Sequence, residues 1–104
     1  MRHTTDLLAL AQPPTAIFCG NDWMAMGAFD ALRETGLRIP DDVAVVGFDN
    51  RVEIADHMRP GLSTVALPYY KMGSRAVEVI LDPQLLAAAA TELINCPLIQ
   101  RSSV

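Results

Sequence analysis

The sequence predicts an α/β fold in which helices wind around a parallel sheet, and the hydrophobic pattern of its first half carries that prediction. Residues 15–19 and 43–46 are near-continuous apolar runs of strand length, as expected of strands buried on both faces. The small and apolar residues between them recur at helical spacing: Met24, Gly27, Ala28, Ala31 and Leu32. This segment is therefore a predicted βαβ unit.

A short polar loop follows each of the two predicted strands, at residues 20–22 and 47–50. The crossover between parallel strands is right-handed, so both loops are expected at one edge of the sheet, outside the carboxyl ends of its strands. Open α/β sheets bind small ligands at that edge. The arrangement predicts a ligand cleft.

The other elements of the first half follow from local signals. Residues 6–12 have the pattern of the tail of an amphipathic helix, which two prolines then close. The helix after the first strand is expected to begin at a cap formed by Asn21 or Asp22. It should end at Gly36, because glycine favours the left-handed backbone that terminates helices.

The second half is expected to add two longer helices and two strands, separated by prolines and glycines. The segments are helical turns at 51–58, a strand at 63–67, helices at 69–81 and 85–93, a strand at 95–100 and a tail at 101–104. In the 69–81 helix, an apolar stripe at helical spacing is expected to be buried. Its members are Met72, Ala76, Val79 and Ile80.

The composition indicates one small globular domain and argues against direct nucleic-acid binding. The chain has 104 residues, of which 51 % are hydrophobic and 19 % charged, and its formal net charge is −4. Contact with phosphates needs a clustered cationic surface. The basic residues are instead scattered among acids: Arg33, Arg38, Arg51, Arg59, Lys71 and Arg75. Another segment would have to contact DNA.

The sequence shows neither a bilayer-length apolar run nor a signal-peptide pattern at its N-terminus, which predicts a cytoplasmic location. Cys19 and Cys96 lie in predicted strands without the spacing of metal ligands. We expect both to be buried, reduced cysteines that pack as small hydrophobic side chains.

The two polar loops carry the side chains expected to line the cleft. They are Asn21, Asp22, Asp49 and Asn50, accompanied by the aromatic residues Trp23 and Phe48. Carboxylate and amide groups pair with hydroxyls, and aromatic faces pack on sugar rings, so the set suits a neutral polyhydroxylated ligand. Other interpretations remain open: Asp22 as a helix cap, Asp49 as a turn residue, and both aromatic residues as core.

Catalysis has little support in the sequence, and we expect no enzyme, cofactor or metal. It contains no serine elbow, suggestive Cys–His pair or phosphate-cradling glycine loop. His3 and His57 are far apart and expected to be solvated. Two aspartates at neighbouring strand ends could hold Mg²⁺ for phosphoryl transfer, but neither loop supplies the lysine that a phosphate would need.

Several separated phrases of the chain form a family pattern: residues 14–22, 24–28, 36–43, 46–49, 59–65 and 98–103, with Pro68, Gly73 and Ala76 between the last two. In content and order they resemble the LacI/GalR family of bacterial sugar-responsive repressors. The resemblance covers about residues 7 to 103. It implies a partial doubly wound parallel sheet of the type I periplasmic-binding-protein-like class.

The resemblance also implies a division of the chain between two lobes of a sugar-sensor domain. Residues 7–65 correspond to a βαβ unit of the C-terminal lobe. Residues 66–82 cross the hinge and form one helix of the N-terminal lobe, and residues 83–104 form a helix and the returning strand. The apolar stripe of the 69–81 helix is then expected to be exposed in this chain.

The family pattern assigns roles to individual positions. Asn21, Asp22 and Asp49 match positions that line or support the effector pocket, and Tyr69 falls where an aromatic residue closes over it. Family dimers form through the C-terminal lobe, which implicates a further set of residues here. That set is Met24, Ala28, Ile54 and Met58.

The implied function is the effector-sensing part of a transcriptional regulator, with a sugar or related small molecule as effector and a homodimer in the intact protein. Operator DNA would be bound by an N-terminal helix-turn-helix that these 104 residues do not include. The alternatives are a periplasmic sugar-binding transport protein, which a signal peptide upstream would indicate, and a truncated reading frame without independent function.

Overall fold

The computed structural model describes residues 2–88 and 91–104 of the chain. Across these two stretches, helices and strands follow one another in the order expected of an α/β protein. The elements are α1 (Arg2–Leu8), β1 (Ala16–Phe18), α2 (Asp22–Glu34), β2 (Ala44–Asp49), α3 (Val52–Ala55), β3 (Ser63–Ala66), α4 (Tyr69–Leu81), α5 (Pro83–Ala88) and β4 (Leu98–Ile99).

The sheet has the order β1-β2-β3-β4, and its first three strands are parallel. This confirms the α/β prediction. The last strand departs from a purely parallel sheet, since β4 pairs antiparallel with β3 through Val65 opposite Leu98 and Thr64 opposite Ile99. The reason is the direction of return: the chain re-enters the sheet at the carboxyl end of β3 and runs back along it.

Strand β2 is longer than its apolar run suggested. We expected a loop at 47–50, but Gly47, Phe48 and Asp49 continue the strand and pair with Thr64, Val65 and Ala66 of β3. Glycine and aspartate are poor strand formers. Here the parallel ladder with β3 outweighs that local preference, so only the end of the predicted loop leaves the sheet.

Helix α2 supplies much of the core beneath the sheet. Six of its residues are at most 2 % exposed, and four of them belong to the main core: Ala25, Ala28, Phe29 and Leu32. They form one cluster with Val45 of β2 and Leu62 before β3. The helix begins where Asn21 Oδ1 accepts a hydrogen bond from the Met24 amide at 2.8 Å. It ends at Gly36, whose φ of 75° is left-handed as expected.

Helix α1 ends earlier than expected, at Leu8 rather than near residue 12. Residues directly before a proline avoid the helical backbone region. The two prolines at 13 and 14 therefore disfavour a helical turn before them. The Leu10 amide makes only a long hydrogen bond of 3.4 Å to the Leu7 carbonyl.

Helix α4 has the predicted bounds, but the expectation of a buried stripe is wrong. Within Tyr69–Leu81 no residue is buried, and Ile80 is 66 % exposed. The helix packs mainly against α5, and the radius of gyration is 17.6 Å, against about 13 Å for a compact domain of this length. The α4–α5 pair thus extends away from the sheet, and the apolar stripe of α4 is exposed or half-buried.

The carboxyl-terminal residues differ most from the prediction. Part of the expected 85–93 helix, residues 89 and 90, lies outside the described residues, and 91–93 are not helical. The strand expected at 95–100 is limited to β4. The expected tail is not a free end, because Ser103 is fully buried between β2 and β3.

Candidate functional site

The carboxyl ends of the three parallel strands bring together residues from three separate parts of the chain. Asn21 follows β1, Asp49 ends β2, and Tyr69 opens α4 just after β3. Tyr69 lies next to Asp49: partial desolvation and the charge and hydrogen bonding of the Asp49 carboxylate raise the pKa of the Tyr69 phenol. An acceptor and an aromatic hydroxyl thus share the edge where α/β sheets bind ligands.

The backbone at the end of β2 is left-handed over two residues. Asp49 has a φ of 110° and Asn50 a φ of 52°. Asparagine tolerates the left-handed region near a φ of 52°, whereas aspartate with a φ of 110° is uncommon. A strained backbone conformation of this kind costs on the order of 1–3 kcal/mol. Such strain clusters at ligand-binding sites, and the surrounding contacts must hold it in place.

Asp22 provides one of those contacts from behind the site. Its side chain is 0 % exposed. Oδ1 accepts a hydrogen bond from the Thr64 hydroxyl at 2.6 Å, and Oδ2 accepts one from the Arg51 amide at 2.7 Å. Asn21, not Asp22, caps α2. The capping role expected for Asp22 is therefore wrong, and in this structure its carboxylate faces protein rather than solvent.

Gly47 makes room for that carboxylate. A Cβ at this position would overlap Asp22 Oδ1 and lie 2.9 Å from Leu62 Cδ2 and 3.2 Å from Thr64 Oγ1. A glycine is needed here for close approach, not for backbone angle. Gly47 is therefore required by close packing against the Asp22 carboxylate, which the sequence alone did not show.

Asn21 is half-buried, and its side-chain oxygen is already engaged by the Met24 amide. Its amide nitrogen, a donor, is the group left for a ligand. Phe18 of β1 and Phe48 of β2 stack edge to face with ring centroids 6.3 Å apart, and Phe18 is 65 % exposed. Sequence reasoning missed Phe18. Its place as the last residue of β1, at the ligand edge, was the available signal.

Trp23 does not join Phe48 at this edge. It is 57 % exposed and lines a groove of about 500 Å³ between α2 and α3, which we call the α2–α3 groove. The expectation that both aromatic residues converge at the cleft is wrong for Trp23. The helical turn after Asn21 directs neighbouring side chains about 100° apart, so adjacency in sequence does not place Trp23 beside its neighbours.

Only part of the expected dimer set lies at the α2–α3 groove. Ile54 and Met58 line it. Ala28 is 2 % exposed and packs in the core, so its predicted place in an interface is wrong. Met24 is not among the groove residues, and its sulfur lies toward Gly20. The exposed or partly exposed groove residues of α2 are Trp23, Met26, Asp30 and Arg33.

Arg101 was predicted to lie in the C-terminal tail, but its side chain contacts the turn after β2 and the end of α3. Its Nη2 donates to Asn50 Oδ1 at 2.9 Å, and its Nε donates to Asp56 Oδ1 at 2.7 Å. Its side chain is only 17 % exposed. A lone arginine after a short apolar run carries no sequence signal for this role, because the contacts join residues about fifty positions apart.

Neither a metal cluster nor a membrane-spanning helix is found in the described parts of the chain. Residues 2–88 and 91–104 hold no group of three histidine, cysteine or acidic side chains suited to a metal ion. No helix within the same ranges is both long and apolar enough to cross a bilayer. Cys19 is buried and Cys96 half-buried, both as free thiols; burial, followed by the charge of Asp22, raises the pKa of Cys19.

Comparison with known proteins identifies the family. The model of the periplasmic binding protein-like domain matches residues 2–104. The HTH-type transcriptional repressor CytR of Escherichia coli (strain K12) is 39 % identical over 99 residues, which cover 93 % of this chain and 29 % of the repressor. The chain thus spans less than a third of the length of that relative.

Solved structures agree in fold. The lac repressor dimer bound to operator and the anti-inducer ONPF is 31 % identical with a TM-score of 0.84, covering 98 % of this chain and 31 % of that one. A LacI family regulator from Arthrobacter sp. FB24 in complex with lactose is also 31 % identical, with a TM-score of 0.75, and the match covers 98 % of this chain and 39 % of that one. The chain belongs to the periplasmic binding protein-like family and is part of a LacI/GalR-type effector-binding domain.

Proposed function

We propose that this chain is the effector-sensing part of a bacterial DNA-binding transcriptional regulator. The observation that supports it best is the left-handed turn of Asp49 and Asn50 at the carboxyl edge of the sheet, which buried Asp22 holds from behind and beside which Tyr69 begins α4. A strained, supported turn that exposes an acceptor and a phenol suits ligand binding better than a purely structural role.

The proposed effector is a sugar or a related polyhydroxylated molecule. Asp49 offers acceptors for hydroxyl groups, Asn21 offers an amide donor, and Tyr69, which is 56 % exposed, covers one ring face. Asp22 contributes by fixing the turn. The lactose complex of the Arthrobacter regulator supports this class of ligand, whereas the identity of the sugar depends on residues beyond this half of the cleft.

The proposed mechanism is a shift between two lobe orientations. The chain leaves β3 at Ala66 and enters α4 at Tyr69, and α4 extends away from the sheet, as a crossing between lobes would. Effector bound between the lobes would favour one orientation and so change the affinity of the intact protein for operator DNA. We propose a cytoplasmic homodimer without enzymatic activity, in which a different segment contacts the DNA.

The transport alternative, a periplasmic sugar-binding protein of the same fold, has less support. Both CytR and the lac repressor structure, which match nearly the whole chain, are named as repressors. Fold alone does not separate the two, since the same architecture serves both kinds of protein. The names of these relatives therefore favour the regulator.

The test is effector binding and DNA binding by the product of the complete reading frame that contains this chain. We expect calorimetry with a panel of free sugars to find a ligand, and that sugar to change operator affinity. Asp49→Ala should weaken its binding about tenfold or more, equal to ~1.4 kcal/mol or more. Tyr69→Ala removes the ring that covers the sugar and should weaken binding more than Tyr70→Ala, the matched control at the neighbouring position, where the side chain is 89 % exposed.

Two results would contradict the proposal. One is a sugar whose affinity is unchanged in Asp49→Ala, which would remove Asp49 from the site. The other is a sugar-binding product with no affinity for DNA, which would favour the transport protein. Equal effects of the two tyrosine substitutions would remove Tyr69 alone.

A further inference from the structure

The carboxyl-terminal segment is anchored to the sheet by its backbone and by two buried serines. Ser103 Oγ donates to the Val45 carbonyl at 2.6 Å and accepts from the Ser63 amide at 2.8 Å. The Arg101 amide donates to Ser63 Oγ at 2.8 Å, and the Ser102 amide donates to the Gly61 carbonyl at 3.1 Å. Arg101 therefore starts from a fixed backbone.

The guanidinium of Arg101 makes contacts with three separate parts of the structure. Besides Asn50 and Asp56, its Nη1 donates to the Leu62 carbonyl at 2.8 Å. The planar fork of donors in arginine suits several acceptors held at fixed angles, and a lysine ammonium does not reproduce it. Because the Arg101 side chain is only 17 % exposed, its bonds to Asn50 and to the Leu62 carbonyl are partly buried.

Two of these contacts bracket α3. Asn50 precedes the helix and has a φ of 52°, and Asp56 is its C-cap residue. Asn50 also follows Asp49, the proposed ligand acceptor. One guanidinium therefore holds both the left-handed turn at the ligand edge and the far end of a helix that lines the α2–α3 groove.

We propose that Arg101 is a positioning residue for the ligand site: it holds the Asp49–Asn50 turn in its left-handed form and links that turn to the end of α3. Arg101 acts through Asn50 and touches no ligand. The inference rests on the proposed function for its biological meaning, and the positions of the contacting atoms support it independently. A change of the turn on ligand binding would be transmitted through this arginine to α3.

The test compares Arg101→Lys with Arg59→Lys in the chain as it is. Arg59 is the matched control, because its Nη1 donates to the carbonyls of Asp56 and Met58 at the same end of α3, with no bond to Asn50 among the hydrogen bonds of the described residues. Hydrogen exchange is measured by NMR at two amides of the turn. The Asn50 amide donates to Thr64 Oγ1 at 3.3 Å, and the Arg51 amide donates to Asp22 Oδ2.

In Arg101→Lys we expect these two amides to exchange about tenfold faster, since local opening becomes easier. The Cys19 amide, which donates to the Val46 carbonyl within the sheet at 2.8 Å, should keep its rate. The tyrosine ring signals give a second readout: the titration midpoint of Tyr69 should fall as the Asp49 carboxylate moves away. Arg59→Lys should change neither measurement.

A second variant keeps the test decisive if Arg101→Lys does not fold. Asn50→Gly removes the acceptor, and glycine adopts a φ of 52° without strain. It should also speed exchange at Arg51, and adding Arg101→Lys should produce no further acceleration, as expected for two partners of one contact. Unchanged exchange and titration in folded Arg101→Lys would overturn the proposal, as would fully additive effects of the two substitutions. If Arg101→Lys does not fold, Asn50→Gly alone decides, and unchanged exchange of the Arg51 amide in that variant would overturn the proposal.

The result of this experiment does not depend on the proposed function. Exchange rates and the Tyr69 titration are measured without any ligand. If the variants behave as expected and no sugar binds, the positioning role stands and the proposed function is wrong. If sugars bind and Arg101→Lys leaves exchange in the turn unchanged, the proposed function stands and the positioning role is wrong.

Discussion

The hydroxyl of Thr64 donates a 2.6 Å hydrogen bond to Asp22 Oδ1, and both side chains are fully buried. The bond joins β3 to the first turn of α2 through two residues that lie 42 positions apart in the chain. The other oxygen of Asp22 accepts from the Arg51 amide. A single buried carboxylate therefore connects all three strand ends that form the candidate site.

Replacing that carboxylate should destabilise the fold. Asp22→Asn replaces one carboxylate oxygen with an NH₂ donor. This donor faces either the Thr64 hydroxyl, which can rotate and accept a hydrogen bond, or the Arg51 amide, which is itself a donor and cannot accept one. We expect a loss of about 1–3 kcal/mol in the free energy of unfolding, measured by urea denaturation with an unchanged slope. Asp30→Asn on the exposed face of α2 is the control. Equal stability of the two variants would contradict the role assigned to Asp22.

Two glycine substitutions should have opposite effects. Gly47→Ala places a methyl group against the Asp22 carboxylate and Leu62, and overpacking of this kind costs about 1–3 kcal/mol. Gly73→Ala meets nothing within 4 Å in the middle of α4. It should stabilise that helix by about 0.5–1 kcal/mol, because alanine is the better helix former. Urea unfolding of both variants tests the contrast, and a stable Gly47→Ala would refute the packing argument.

Ser103 and Ser102 offer a similar contrast at the end of the chain. Ser103→Ala leaves the buried Ser63 amide without its acceptor and the Val45 carbonyl without one donor. We expect a loss of about 1–3 kcal/mol in the free energy of unfolding. The Ser102→Ala control, at an exposed position, should lie within ~0.5 kcal/mol of the parent. If both variants unfold alike, the last residues are a tail after all.

The pH dependence of Tyr69 tests its contact with Asp49. Its pKa is raised from an ordinary 10.0 by partial desolvation and by the Asp49 carboxylate. Asp49→Asn removes the charge, so the pKa of Tyr69 should fall, as followed by NMR of the tyrosine ring. The linkage has a definite sign: the stabilising contribution is complete below the ordinary pKa and is lost as pH rises through the raised one. A Tyr69 titration unaffected by Asp49→Asn would show that the two side chains are apart.

Local signals in the sequence were sufficient for the bounds of α2 and α4. The Asn21 cap and Gly36 bound α2 correctly, and α4 occupies the predicted residues, because helix termini depend on contacts within a few positions. The edge of the sheet that carries the candidate site was also predictable, since parallel strands place their carboxyl ends together. Asn21, Asp49 and Tyr69 meet there.

Contacts between distant residues were not predictable in this way. The burial of Asp22, the close approach at Gly47 and the bridge from Arg101 to Asn50 each depend on strands that neighbour one another only after folding. The same holds for Ala28, expected at an interface and found in the core. A helical pattern gives the spacing of a face and not which partner covers it.

The sequence by itself determined the α/β class, the order of the elements and the family, because these follow from hydrophobic periodicity, caps and phrases of local sequence. Only the tertiary structure decided which polar side chain faces the ligand edge and which supports it from the interior. It also converted the expected tail into an anchored segment. The physical reason is that a buried carboxylate, hydroxyl or guanidinium must find partners for its hydrogen bonds, and those partners come from whichever strands the fold brings alongside.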